Sequence, residues 1–292
     1  MARRRRRMNA VEELLAVLDL KDLGEDRFLG ESPRFGWQRI FGGQVIAQSL
    51  VAATRTVASS RPPHSLNCYF LLGGDPQVPV TFVVERIRDG GSFSTRRVTA
   101  SQHDRPIFTL SASFHVDEEG LEHQIAMPEV PPPEALPDER EFAALVEAHA
   151  DEPIKRYWRR PRPLVLIPTD MTRYLGGPVT DPRQYFWVRT SAPLPDDPLL
   201  HRIVLAYLSD LTLLDTSLVV HGLSVFDPRL QVASLDHAMW FHRQARVDDW
   251  ILYVQESPSG SGSRGFTRGS LFSRDGILIA SVAQEGLIRR RR

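Results

Sequence analysis

Apolar and polar residues alternate over long stretches of this chain, and a helical stripe twice precedes a set of such stretches. Val11, Leu14, Leu15 and Leu18 recur at helical spacing, predicting a short amphipathic helix over 9–20. Residues 27–34 read as a strand and turn. Gly42-Gly43 allows a tight turn into a helix start. Ile46, Ser49, Leu50 and Ala53 then repeat with the small residues of a helix pressed against a sheet. Four strand-like runs follow at 64–71, 80–86, 92–102 and 106–114, punctuated by turns at 73–76, 89–91 and 103–106.

The second half repeats this order. A proline-dense stretch, 127–137, reads as an extended linker. A helix over 139–150 and a Pro/Arg/Trp-rich bridge lead to Asp197; Tyr157 to Pro161 suggests only surface packing between units. A second helix is predicted from Pro198 to about Val220, then strands at 231–243, 250–257, 264–273 and 277–288. His64 to Asn67 parallels Ala233 to Asp236 at an offset of 169, and 103–107 parallels 273–277 at an offset near 170. The class is α+β: one long helix wrapped by a curved antiparallel sheet, in two copies joined edge to edge. The expected division is a basic tail 1–10, a first unit 11–126, a linker and bridge 127–197, and a second unit 198–292.

Composition narrows the function classes. The 292 residues carry 36 basic and 36 acidic side chains, which argues against a nucleic-acid partner. Arg3 to Arg7 and Arg289 to Arg292 read as solvated arginine tails, with weak anion contacts as the other reading. Cys68 is the one cysteine, so no internal disulfide and no thiolate metal cluster form, and a reducing, cytoplasmic compartment is expected. No apolar run reaches the roughly 20 residues of a membrane span. The basic N-terminus lacks the apolar run of a secretory signal, and the terminal arginines are no peroxisomal address.

Three polar residues stand out in apolar settings. Asp210 sits in an apolar helical stretch, 203–214. A buried carboxylate there needs hydrogen bonds or a raised pKa, and either suits a general base. The competing reading is a helix-end or interface carboxylate bonded to backbone or arginine. In the strand at 231–243, Val232, Ser234, Asp236, Ala238, Trp240 and His242 share one face, and Ala233, Leu235, His237, Met239 and Phe241 the other. Ser234 either holds a water or serves as a small residue in tight packing. Gln284 shares a face with Leu278, Ala280 and Val282 and either links strands or works in a site. Other patterns fail their context. Residues 260–265 match G-x-G-x-x-G but lead into a strand. No G-x-S-x-G elbow is present. His237 and His242 face opposite sides of a strand, which spoils shared metal ligation, and Cys68 reads as a buried thiol.

Several motifs together resemble the acyl-CoA thioesterase II family of double-hotdog proteins. In the first half these are Gly42-Gly43-Gln44 with Ala47-Gln48, His64-Ser65-Leu66 with Tyr69-Phe70-Leu71, Arg88-Asp89-Gly90 with Ser92-Phe93-Ser94 and Arg96-Arg97-Val98, and Ser111 to Phe114. In the second half they are Leu205-Ala206-Tyr207 with Ser209-Asp210, Leu235-Asp236-His237 with Met239 to His242, Arg264-Gly265-Phe266 with Arg268-Gly269, and Gln284-Glu285-Gly286. The resemblance implies two fused hotdog units, acyl-CoA as substrate, and hydrolysis to a free fatty acid and CoA without cofactor or metal. It implies Asp210, Ser234 and Gln284 as the catalytic set, with Asp210 activating a water that Ser234 and Gln284 hold. Asp236, His237 and His242 are then left to structure. The helix start at Gly42, Gly43 and Gln44 is the candidate oxyanion donor, and Arg264 or Arg268 the candidate contact to a CoA phosphate. A homo-oligomer is also implied. The chain departs from the pattern at Ser234, commonly Thr, at Asn67, often His, and at Leu72 to Asp75, often Arg-Pro-Gly-Asp; these departures bear on substrate preference. A hotdog enoyl-CoA hydratase would need an Asp/His pair at a helix start, which the sequence lacks. A non-catalytic acyl-CoA binding module would bind without releasing thiol.

Overall fold

The computed structural model describes residues 8–33, 39–150, 152–159, 162–170 and 181–291. The expectations for Arg3 to Arg7, Arg34 and Arg292 lie outside these residues. Helix α1 (Ala10–Leu18) starts at a capping box: the Asn9 side chain accepts backbone N–H groups and Glu12 reaches back to Asn9. It buries Val11, Leu14 and Leu18. A hairpin, β1 (Lys21–Gly24) and β2 (Arg27–Gly30), follows.

Helix α2 (Gly42–Thr54) is buried from Gly43 to Ala53. Apart from Gln44 and Gln48, whose amides are hydrogen-bonded, its buried residues are apolar or small, as a helix covered all round requires. The wrapping strands are β3 (Pro63–Phe70), β4 (Val80–Asp89), β5 (Phe93–Gln102) and β6 (Arg105–His115). Their inward residues, among them Leu66, Phe82, Val98, Leu110 and Phe114, are fully buried. Arg96 is buried on this face too, at 1% exposure, and donates to Thr56 and to the Asp89 carboxylate.

The segment 127–197 is more than the expected linker and bridge. Helices α3 (Glu139–His149) and α4 (Glu152–Trp158) are followed by strands β7 (Leu164–Pro168) and β8 (Gln184–Thr190). Leu164 to Pro168 is a short continuous run, buried throughout, so it carries no alternation to mark it as a strand. Trp158 is buried against Phe142, ring centroids 4.4 Å apart, rather than packing at the surface.

The second predicted helix is also corrected. It divides into α5 (Pro198–Ser209) and α6 (Thr216–Val219), with Asp210 as the C-cap of α5 and Thr212 at φ 61°. The break is sustained by the buried Gln255 side chain. Its Nε2 donates to Leu211 O (3.1 Å), and its Oε1 accepts from Thr212 and Thr216 (3.1 and 2.9 Å). The first of these bonds satisfies a carbonyl that a continuing helix would have paired. The strands are β9 (Leu230–Ser234), β10 (Asp236–Phe241), β11 (Ile251–Ser261), β12 (Arg264–Ser273) and β13 (Leu278–Arg290).

The thirteen strands among the described residues form one sheet. Its path runs β1-β2-β4-β5-β6-β3-β10-β13-β12-β11-β8-β7, and β9 pairs with β13. Outward from the centre, β3-β6-β5-β4-β2 mirrors β10-β13-β12-β11-β8. This is the double hotdog: two helix-and-sheet units joined where β3 meets β10, from Tyr69 opposite Asp236 to Ser65 opposite Trp240. Arg289 and Arg290 are part of the sheet rather than a free tail, since they pair with Gln231 and Leu230.

Candidate active site

The site forms where the last turn of α5 meets the first turn of α2. A Cβ on Gly43 would lie 2.1 Å from Tyr207 O, and one on Gly42 would lie 2.5 Å from Asp210 Oδ2. Only glycines let the two helices approach this closely. The approach places Gly43 N–H on Asp210 Oδ2 at 2.9 Å. Asp210 is partly buried. Burial pushes its carboxyl up to about 7, opposed by hydrogen bonds from the Gln284 side chain and Gly43 N–H. Desolvation outweighs both donors.

Ser234 and Gln284 reach this carboxyl because the predicted strand 231–243 divides at Leu235. Ser234 pairs with Gly286 in β9, but Ala238 pairs with Ala283 in β10, so the register on β13 slips by one residue. Asp236 Oδ1 accepts Glu285 N–H (2.8 Å) at the slip and anchors it. In a straight strand Ser234 and His237 would face opposite sides; the inserted residue turns them to one side. Gln284 Nε2 donates to Ser234 Oγ at 2.8 Å, and His237 Nδ1 lies 2.8 Å from Gln284 Oε1. His237 Nε2 lies 2.9 Å from Ser209 Oγ. The imidazole is 1% exposed, and burial lowers its pKa to about 4, against a hydrogen bond to Gln284 that raises it. His237 is therefore neutral at ordinary pH.

Asp210, Ser234, Gln284, Gly42 and Gly43 are thus brought together. Gln44 is not: its side chain donates to Ser32 Oγ (2.9 Å) and Gln48 Oε1 (3.2 Å). Gly43 N–H, expected as an oxyanion donor, is held by Asp210. Arg264 and Arg268 are exposed and pair with Glu285 (2.9 Å) and Glu256 (2.5 Å). Sequence pattern alone assigns His237 to structure; its one signal is a lone histidine on the strand face shared with Leu235, Met239 and Phe241. Among the described residues no cluster of side chains is arranged to hold a metal ion.

Fold and site together define a hotdog protein with a hydrogen-bonded cluster of polar side chains at the junction of its two units. A hot dog fold protein from Alicyclobacillus acidocaldarius shares the architecture, with a TM-score of 0.77 at 21% identity over 96% of this chain and 99% of that one. Residues 159–287 match the model of the acyl-CoA thioesterase family, and residues 31–115 that of the acyl-CoA thioesterase N-terminal domain. Mouse acyl-coenzyme A thioesterase 8 is 42% identical, covering 94% of this chain and 88% of that protein. The crystal structure of an acyl-CoA thioesterase II from Mycobacterium marinum has a TM-score of 0.79 at 45% identity, covering 95% of this chain and 98% of that one. The chain belongs to the acyl-CoA thioesterase family.

Proposed function

We propose that the protein hydrolyses acyl-CoA thioesters to a free fatty acid and CoA, with Asp210 as general base and Ser234 and Gln284 as the groups that hold the water. The observation carrying this reading is that three polar side chains from α5, β9 and β13 meet at the N-terminus of α2, with the carboxyl pushed up to about 7. A base of that strength takes a proton from water near neutral pH and returns it to a leaving group. Water bound to Ser234 and Gln284 attacks the thioester carbonyl carbon as Asp210 removes one of its protons. The carbonyl oxygen becomes an oxyanion, favoured by the positive end of α2. When the intermediate collapses the C–S bond breaks, and the sulfur takes the proton held by Asp210. No covalent acyl-enzyme is needed, because a thioester is already electrophilic and positioned water suffices.

The test is thiol release from acyl-CoA by Asp210→Asn, with folding checked by circular dichroism. A loss in kcat on the order of 10²- to 10⁴-fold is expected. A folded variant hydrolysing at the wild-type rate would remove Asp210 from the mechanism.

A further inference from the structure

We infer that His237 is a positioning residue for the hydrolytic site: its imidazole fixes which way the Gln284 side-chain amide points. This rests on the reading of Asp210, Ser234 and Gln284 as the hydrolytic set. A glutamine amide has nearly the same shape in either orientation, yet one end only donates and the other only accepts. Gln284 Nε2 lies on Ser234 Oγ (2.8 Å), and the amide also donates to Asp210. An ionised carboxylate only accepts, so the nitrogen end must face it. Gln284 Oε1 is thereby turned to His237 Nδ1 at 2.8 Å. Two acceptors cannot bond, so Nδ1 carries the hydrogen of the neutral ring. Nε2 is then an acceptor and takes the hydroxyl hydrogen of Ser209, whose Oγ lies 2.9 Å away.

A second self-consistent arrangement exists, and its cost is what gives His237 a role. Ser209 Oγ is also 2.8 Å from Ala206 O. If its hydrogen went there, His237 would carry its proton on Nε2 and donate to Ser209. Nδ1 would then draw in the amide nitrogen of Gln284, and the amide oxygen would face Asp210. That contact is repulsive whenever Asp210 is ionised and ready to act as a base. Ring tautomer and amide orientation are therefore one coupled variable, set by a side chain that itself touches neither water nor thioester. Cys68 and Tyr253, both within reach of the Asp210 charge, stay neutral throughout, because burial raises the thiol and the hydroxyl well above their ordinary values.

The test compares three variants for thiol release and melting temperature. In His237→Asn the side-chain amide nitrogen stands where Nδ1 stood and still donates to Gln284, so most of kcat is retained. In His237→Gln the amide reaches towards Ser209 instead, and in His237→Leu no donor remains. Both should lose up to about 100-fold in kcat with KM little changed. The acid limb of the His237→Leu pH profile should also move upward, because Asp210 loses a donor to its charged form. Equal activities of the Asn and Gln variants, or a native-like His237→Leu with wild-type kcat, would overturn the assignment. Nitrogen NMR of the imidazole in the unmodified protein needs no activity. A hydrogen on Nδ1 supports the inference and a hydrogen on Nε2 overturns it, whether or not thiol release bears out the hydrolytic reading itself.

Discussion

At the scale of single residues, the role proposed for Asp210 ties activity and stability to one carboxyl. As a base it works ionised, so kcat/KM should fall about tenfold per pH unit below about 7 and level off above it. A flat profile from pH 5 to 8 would count against Asp210 as the base. The effect on stability has the opposite sign. Its folded pKa lies above the ordinary carboxylate value, so the folded state holds a proton that the unfolded chain has already released. Stability is full below about 4, falls as pH rises to about 7, and is constant beyond. The loss is at most roughly 4 kcal/mol, reduced by the partial exposure of the residue. Asp210→Asn should therefore gain stability relative to wild type at pH 8 but not at pH 4, as denaturant titrations at the two pH values would show. Ser234→Thr keeps the hydroxyl that Gln284 meets and should keep activity. Abolished thiol release in a folded Ser234→Thr protein would speak against a water-holding role.

At the scale of elements, the site depends on the approach of α2 to α5 and on the break after α5. Gly43→Ala would drive a Cβ into the Tyr207 carbonyl, a backbone atom with no rotamer to yield. The helices must separate, at a cost of about 1–3 kcal/mol, and Asp210 loses its backbone donor. Melting temperature and kcat should fall together; an unchanged melting curve would show that the contact relaxes freely. The sequence showed α5 as a helix but not its end. Nothing local to Ser209, Asp210 and Leu211 stops a helix, and the stop comes from Gln255 on β11 and Thr216 on α6. The slip at Leu235 was hidden for the same reason. Alternation in 231–243 is unbroken as written, and only pairing with β13 shows that one residue is extra.

At the scale of the whole molecule, the halves are unequal partners. Asp210, Ser234, Gln284 and His237 all come from the second half, and the first half supplies the N-terminus of α2. It also supplies β3, which covers the edge of β10. Residues 1–126 expressed alone would leave the β3 edge and the α5-facing side of α2 unpartnered, which favours self-association. Light scattering on that fragment should find dimers or larger species without thioesterase activity. A well-folded monomer would mean that the seam contributes little. Among the described residues no helix is long and apolar enough to cross a membrane.

The sequence by itself determined the helix-then-meander order, its duplication, the alternation of each long strand and the polar residues lodged in apolar surroundings. These are properties of neighbours along the chain, and local sterics and burial suffice to specify them. Tertiary structure decided where α5 stops, which strand carries an extra residue, that 164–168 and 184–190 are strands, and that His237 rather than Gln44 stands beside the site. Each of these depends on hydrogen-bond partners or burial supplied by residues far away in the chain. Spacing along one strand or helix carries no record of a partner on another.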